Sequence, residues 1–156
     1  MIKVTEFLTV NIAVADMEEA RRRYEAIGLA ALAPAVWPEP PIQMTDVTME
    51  FPLAHTAISL IEPWEGTGPV EKFITRRGEG VYSVAVRVDD LAAAMRDWTE
   101  LGMEWVSDEP AEVPGARAAS YVADRVLVNW VKPRTFGGVL LEVFELQGDV
   151  RLFKDQ

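Results

Sequence analysis

The chain has 156 residues, 49% of them hydrophobic, and its net charge is −10 at pH 7. This size and composition fit one domain or two half-domains that share a core, and they do not fit a disordered chain. The absence of cysteine excludes disulfides and thiolate metal sites, and the acidic balance argues against nucleic acid and anionic membrane surfaces as partners.

The sequence also lacks targeting and membrane signals. No apolar run reaches the length of a membrane span. The first residues have neither the basic nor the apolar region of a signal peptide. We therefore expect a soluble, cytoplasmic protein without membrane contact.

The first part of the chain predicts a strand, a helix and two more strands. Residues 7–14 alternate in polarity and are rich in β-branched side chains, which predicts a strand. Asp16 has the position of a helix N-cap, and Gly28 predicts the end of the helix that follows. The remaining predictions are a rigid proline-rich loop at 33–41 and strands at 43–51 and 56–61.

The second part repeats this order. A bridging segment with a short helix at 70–76 leads to a strand at 81–88. Asp89 or Asp90 then caps a helix that runs to about Leu101 and stops at Gly102. Four extended segments are predicted after it, at 104–106, 116–123, 127–131 and 139–146. The chain thus divides into a first module 1–62, a linker 63–80 and a second module 81–156, which together form one structural unit.

An ungapped repeat supports this division. Residues 9–28 are echoed by residues 83–102, with Asp16 matching Asp90. Farther on, Ser59-Leu-Ile-Glu matches Glu142-Val-Phe-Glu. We therefore predict two copies of one unit.

Five segments carry a family resemblance. They are Ile12-Ala-Val-Ala-Asp-Met-Glu-Glu-Ala, Leu60-Ile-Glu-Pro, Arg76-Arg-Gly-Glu-Gly, Val88-Asp-Asp-Leu and Pro133-Arg-Thr-Phe-Gly-Gly-Val-Leu-Leu-Glu-Val. With them the chain resembles the vicinal-oxygen-chelate superfamily of glyoxalases, extradiol dioxygenases and bleomycin-resistance proteins, and within it the methylmalonyl-CoA epimerase branch. The resemblance implies an α+β fold of two tandem βαβββ modules, which form an open eight-stranded cupped sheet with the helices outside. It also implies a small-molecule pocket inside the cup and a homodimer.

The same resemblance implies four metal-binding positions, which here are Thr9, Ser59, Ser83 and Glu142. Three of them carry hydroxyls, whereas tight divalent sites rely on imidazole and carboxylate groups. The only histidine, His55, falls in a predicted turn outside these positions. We therefore expect neither a metal nor another cofactor.

Glu142 is the candidate catalytic residue. It interrupts a strongly apolar strand, where a carboxylate is costly unless it is paired. It would act as a general base or accept a hydrogen bond from the ligand, and the alternative is a relic acid satisfied by Thr9, Ser59 and Ser83. The candidate substrate-binding residues are Thr9, Asn11, Ser59, Ser83, Gln43 and Trp130. Gln43 stands roughly where the resemblance places a general-base glutamate, with Glu39 as the alternative.

Two functions remain open. The first is a metal-independent enzyme of the isomerase or lyase kind, acting on a small carbonyl or carboxylate compound by acid–base chemistry. The alternative is a protein that binds or sequesters a ligand without catalysis, as in the drug-resistance branch, where an acidic chain would attract cationic compounds. The sequence shows no certain pair of bases, so methylmalonyl-CoA epimerase activity itself is not expected.

Overall fold

The computed structural model describes residues 1–156 and divides the chain into two compact units. One unit comprises residues 9–82, and the other comprises residues 1–8 with residues 83–156. The predicted α+β class with two βαβββ modules is confirmed, whereas the segmentation at residues 62 and 80 stays a prediction. None of the three α-helices has the length and apolar character that crossing a bilayer requires.

The unit of residues 9–82 contains a mixed sheet with helices. Its elements are β1 (Glu6–Ala13, which begins in the other unit), α1 (Met17–Ala26), β2 (Ala30–Ala31), β3 (Ala35–Trp37), β4 (Met44–Glu50), β5 (Ala57–Pro63) and α2 (Gly68–Arg77). The strand order is β2-β4-β5-β1, and β3 also pairs with β4. Strand β5 runs parallel to β1 and antiparallel to β4.

The other unit repeats this plan. Its elements are β6 (Gly80–Arg87, which begins in the first unit), α3 (Leu91–Glu100), β7 (Ala111–Glu112), β8 (Arg117–Ala118), β9 (Tyr121–Val122), β10 (Arg125–Val131), β11 (Leu141–Gln147) and β12 (Arg151–Leu152). The strand order is β6-β11-β10-β7, and β12, β9 and β8 form a separate small sheet. Strand β11 is parallel to β6 and antiparallel to β10, as β5 is to β1 and β4. The first unit has a 3₁₀ turn at Trp64–Gly66, and the second has 3₁₀ turns at Pro114–Ala116, Pro133–Thr135 and Phe153–Asp155.

Each unit buries an apolar core between one face of its sheet and one helix. In the first unit this core consists of Val14, Met17, Ala20, Leu29, Val47, Met49 and Leu60. In the second it consists of Val86, Val88, Leu91, Ala94, Trp98, Val131, Leu141 and Val143. The period-two pattern of the strands therefore points their apolar side chains towards the helix.

The helices begin where the repeat predicts. The Asp16 side chain accepts a hydrogen bond from the backbone N–H of Glu19, and Asp90, rather than Asp89, accepts one from Ala93. Since an N-cap carboxylate satisfies an amide that has no partner in the first helical turn, both starts are fixed locally.

Three predicted segments differ from the structure. The extended segment predicted at 116–123 is a 3₁₀ turn followed by the hairpin of β8 and β9, because Ala116 and Ala119 have positive φ angles of 49° and 53° that an extended strand does not allow. The segment at 104–106 has only one isolated bridge, between Trp105 and Val131. The proline-rich segment 33–41 contains the short strand β3.

Candidate functional site

The sheet of residues 9–82 has a polar face opposite its core. Because Val47, Met49 and Leu60 pack in the core on the side of α1, the alternate residues of their strands point to the other face. The polar residues on that face are Thr9 and Asn11 on β1, Asp46, Thr48 and Glu50 on β4, and Ser59 on β5. Apart from half-buried Asp46, none of them is more than 7% exposed. Thr9, Asn11 and Ser59 therefore lie together, while their role in binding stays a prediction.

The hydroxyls on this face are already engaged as donors. Thr9 Oγ1 donates to Asn11 Oδ1 at 2.7 Å, and the Ser59 hydroxyl donates to the Asp46 carboxylate. A hydroxyl has a single proton to donate and can also accept. Towards a ligand, Thr9 and Ser59 therefore offer oxygen lone pairs in this arrangement.

Sequence reasoning missed three members of this face, Asp46, Thr48 and Glu50. The signal was present, because polar residues at 46, 48 and 50 alternate with Val47 and Met49. The sequence predicted the strand. It did not predict the register with β5, which decides which side chains of β4 lie beside Ser59. That register places Thr48 opposite Ser59 and Glu50 opposite Ala57.

Glu50 is a buried acid with incomplete pairing. Its side chain is 7% exposed, and its Oε2 is buried without a hydrogen-bond partner. Ala57, opposite it on β5, has no polar side-chain atom to offer. A buried carboxylate oxygen without a donor destabilises the folded state unless a ligand supplies one.

We expect Glu50→Gln to raise the free energy of unfolding by about 1 kcal/mol, because the substitution keeps the shape and removes a poorly paired buried charge. Urea denaturation of the two proteins measures the change. The matched control is Glu109→Gln, at an exposed position, which should leave stability unchanged. A loss of stability in the Glu50 variant would contradict this view of Glu50.

Gln43 contacts the segment that leads into α2. It precedes β4, and its side-chain amide donates to Thr67 Oγ1 at 3.1 Å. Its backbone carbonyl accepts from the Trp64 N–H at 3.0 Å. A Cβ added to Gly68 would lie 2.7 Å from Cβ of Gln43, so this glycine permits a close approach. Gln43 thus connects the start of β4 to the start of α2, and its predicted role in substrate binding is not tested by these contacts.

The sheet of the other unit also has a second face. Val86 and Val143 lie in the core beside α3, so Ser83, Ala85 and Arg87 on β6 point the other way. The register places Glu142 beside both Ala85 and Trp130. Glu142 is 7% exposed, Ser83 is 3% exposed, and Trp130 Nε1 donates to Glu142 Oε2 at 2.8 Å. Glu142, Ser83 and Trp130 therefore share one face, and Glu142 has a fixed orientation.

The four positions that the resemblance assigns to a metal do not fit one. Thr9 and Ser59 donate their hydroxyl protons to Asn11 and Asp46, and Glu142 accepts the indole N–H of Trp130. No group of three or more His, Cys, Asp or Glu side chains could hold a metal ion. Neutral hydroxyls with a single carboxylate form a poor donor set for a divalent transition metal. Metal independence itself stays a prediction.

A polar triad beside β6 was not found from the sequence. The Tyr121 hydroxyl donates to Glu6 Oε2 at 2.6 Å, and Arg87 Nη1 lies 3.6 Å from Glu6 Oε1. Burial, together with the hydrogen bond to Glu6, raises the pKa of Tyr121 to about 12. Because Glu6 and Tyr121 are far apart in the chain, only the tertiary structure reveals this contact.

This contact predicts a stability loss at high pH. Since the pKa of Tyr121 rises from its ordinary 10.0 to about 12 on folding, its protonated form stabilises the protein fully below the unfolded pKa. That contribution is lost as the pH rises from the unfolded towards the folded pKa. Tyr121→Phe should lack this part of the pH dependence in urea unfolding across the same range. Identical slopes for both proteins would contradict the assignment.

Comparisons with known proteins agree with this fold. The family model described as the glyoxalase/bleomycin resistance protein/dioxygenase superfamily matches residues 9–121. The chain is 28% identical over 135 residues to mouse mitochondrial methylmalonyl-CoA epimerase, covering 86% of this chain and 69% of that protein. It is similar to the crystal structure of the Mycobacterium tuberculosis methylmalonyl-CoA epimerase, with a TM-score of 0.79, 26% identity and coverage of 92% and 89% of the two chains.

A solved structure with a bound small molecule has the same fold. It is a Streptomyces coelicolor methylmalonyl-CoA epimerase variant in complex with 2-nitronate-propionyl-CoA. Its TM-score is 0.78 at 20% identity, with coverage of 92% of this chain and 96% of that chain. At this identity the likeness shows the fold alone.

Proposed function

The chain belongs to the glyoxalase/bleomycin resistance protein/dioxygenase superfamily, and on that basis we propose that it is a metal-independent enzyme of the isomerase or lyase kind. Its relation to methylmalonyl-CoA epimerases supports chemistry at a carbon next to a carbonyl group. The substrate is a small carbonyl or carboxylate compound, and Glu142 is the acid–base residue.

One observation carries the proposal: Glu142 is a buried carboxylate held in place by a hydrogen bond. The indole N–H of Trp130 contacts Oε2 at 2.8 Å. An oriented carboxylate can take a proton from carbon and return it, which is the step that isomerases and many lyases share.

In the proposed step, Glu142 accepts a proton from the carbon next to the carbonyl. The C–H bond breaks and an O–H bond forms on the carboxylate. The electron pair of the broken bond becomes the C=C bond of an enolate, while the π pair of the carbonyl group moves to its oxygen. Return of the proton by Glu142 to the same face gives exchange alone. Isomerisation follows when a proton from solvent reaches the opposite face or when Glu142 returns the proton to another carbon, and elimination follows when a group on the neighbouring carbon leaves with the electron pair. Ser83 lies on the same face and is the hydroxyl in this unit proposed to orient the substrate. Thr9, Asn11 and Ser59 stay predicted binding residues.

Hydrogen exchange tests the proposal whatever the product of the reaction is. The protein is incubated in D₂O with a panel of small carbonyl and carboxylic acid compounds and a few thioesters, and deuterium at the carbon next to the carbonyl is followed by proton NMR. We expect catalysed exchange in at least one compound class. Neither exchange nor turnover across the whole panel would overturn the enzyme proposal.

The unpaired carboxylate oxygen of Glu50 supports a second candidate function, which is the binding of a cationic ligand without catalysis. Its Oε2 is buried without a partner, and the chain carries a net charge of −10 at pH 7, so an N–H donor on a cation would find an acceptor there. Titration with the cationic aromatic compound ethidium, read by tryptophan fluorescence, tests this function. Quenching that Glu50→Gln weakens would support capture, whereas no quenching by ethidium would count against it. The homodimer and the cytoplasmic location stay predictions.

A further inference from the structure

Arg87 is the one cation on the face of β6, β11 and β10 that carries Glu142. On β6 this face carries Ser83, Ala85 and Arg87, and the register places Ala85 beside Glu142 and Arg87 beside Phe144. The other residues of the face on β11 and β10 are Leu146, Trp130, Val128 and Val126. Arg87 is therefore a diagonal neighbour of Glu142 on the adjacent parallel strand, and the spacing and rise of a regular sheet put the two Cα atoms about 8 Å apart.

The side chain of Arg87 contacts an acidic side chain, and its backbone is held by a hydrogen bond. Its side chain is 24% exposed, and that of its neighbour Glu6 is 31% exposed. The backbone carbonyl of Arg87 accepts from the Thr5 N–H at 2.9 Å, which fixes the strand. The Tyr121 hydroxyl in turn holds the Glu6 carboxylate at 2.6 Å.

Arg87 and Glu6 form an ion pair without a hydrogen bond between their side chains. At 3.6 Å between Nη1 and Oε1, it is longer than a hydrogen bond. A guanidinium has five N–H donors in a planar fork that matches a carboxylate with two parallel hydrogen bonds. A ligand carboxylate can therefore make a stronger contact with Arg87 than Glu6 makes.

The charge of the chain explains why such a cation is needed. A net charge of −10 at pH 7 repels an anionic substrate, so a carboxylate ligand needs a cation at the place where it binds.

We propose that Arg87 binds the carboxylate of the substrate and places the adjoining carbon within reach of Glu142. The substrate class is then a small carboxylic acid with a second carbonyl group, and neutral carbonyl compounds are excluded. This inference rests on the proposed function, because it assigns the substrate class of the same face.

Binding of malonate, a small dicarboxylate, tests this inference by calorimetry and by tryptophan fluorescence. We expect malonate to bind, and Arg87→Met to weaken its affinity at least about tenfold, because a charged bidentate pair is lost. The matched control is Arg125→Met, which removes another strand arginine paired with a glutamate, Glu112 at 3.2 Å, on the opposite face. Its malonate affinity should equal that of the unaltered protein.

Glu6→Gln separates anion binding from a structural role. If Glu6 competes with the ligand for Arg87, the variant should bind malonate more tightly. A purely structural triad predicts no gain. Arg87→Lys keeps the charge and loses the planar fork, so it should bind malonate more weakly than the unaltered protein even if Arg87→Met does not fold.

Two results would overturn the inference. One is equal malonate affinity in the folded Arg87 variants and the unaltered protein, and the other is no binding of malonate by the unaltered protein at millimolar concentration. Either result leaves the enzyme proposal standing if neutral carbonyl compounds show exchange in D₂O, so the two failures are distinguishable.

Discussion

Replacing Glu142 with glutamine should lower the rate of hydrogen exchange into the substrate by about 10²–10⁴-fold, the usual contribution of a general base. The change keeps the size of the side chain, and the amide oxygen can still accept the N–H of Trp130, which now contacts Oε2 at 2.8 Å. The loss should therefore fall on kcat, with folding unchanged. Exchange in D₂O on the most active compound of the panel measures it.

The control for this prediction is Glu112→Gln. Glu112 is an exposed carboxylate of the same unit that pairs with Arg125, so the same chemical change there should leave the exchange rate as it was. Unchanged exchange and unchanged ligand affinity in the Glu142 variant would remove Glu142 from the mechanism.

Removing the Glu145 carboxylate should cost about 2 kcal/mol of unfolding free energy, because it leaves a buried helix amide without its charged partner. Glu145 is 8% exposed, and its Oε1 accepts from the Leu91 N–H at 2.6 Å. The side chain of Glu145 also accepts a hydrogen bond from Gln147. Urea denaturation of Glu145→Ala measures the loss.

The repeat supplies a matched variant for this prediction. Glu62 accepts from the Met17 N–H at 2.7 Å at the start of α1, as Glu145 does at the start of α3, but it is only half-buried. Glu62→Ala should therefore lose about half as much stability, since solvent can replace the carboxylate. A loss at Glu62 larger than that at Glu145, or no loss at either position, would contradict the assigned role.

Much of the fold could be predicted because its signals are local and occur twice. The caps Asp16 and Asp90, together with the stops at Gly28 and Gly102, are set by the chemistry of one helical turn. The match of Ser59-Leu-Ile-Glu with Glu142-Val-Phe-Glu predicted that Ser59 and Glu142 occupy equivalent positions. In the structure both final glutamates accept hydrogen bonds from helix amides.

Part of the candidate site could also be predicted. Strand alternation placed Thr9 and Asn11 on the face away from the core, and the apolar surroundings of Glu142 predicted a buried acid. These inferences needed only the period of a strand. The hydrogen-bond donor to Glu142 could not be predicted in this way. Trp130 lies opposite Glu142 only because of the register between β10 and β11.

The remaining contacts depend on tertiary structure. Two sets of contacts join segments that are distant in the sequence, so no local pattern predicts them. They are the hydrogen bond between Ser59 and Asp46 and the contacts of Glu6 with Tyr121 and Arg87. Similarly, the prediction of one extended segment at 116–123 is wrong because Ala116 and Ala119 adopt positive φ angles. The strand propensities of these side chains do not reveal such angles.

We propose that this chain keeps the superfamily fold and works without a metal. Calorimetric titration of the metal-stripped protein with Mn²⁺, Co²⁺, Ni²⁺ and Zn²⁺ tests it most directly, with Glu142→Gln titrated in parallel. We expect no specific heat of metal binding, and we expect hydrogen exchange in D₂O that chelators do not change. One tightly bound equivalent that is lost in the Glu142 variant would contradict it and would restore a metal-stabilised enolate.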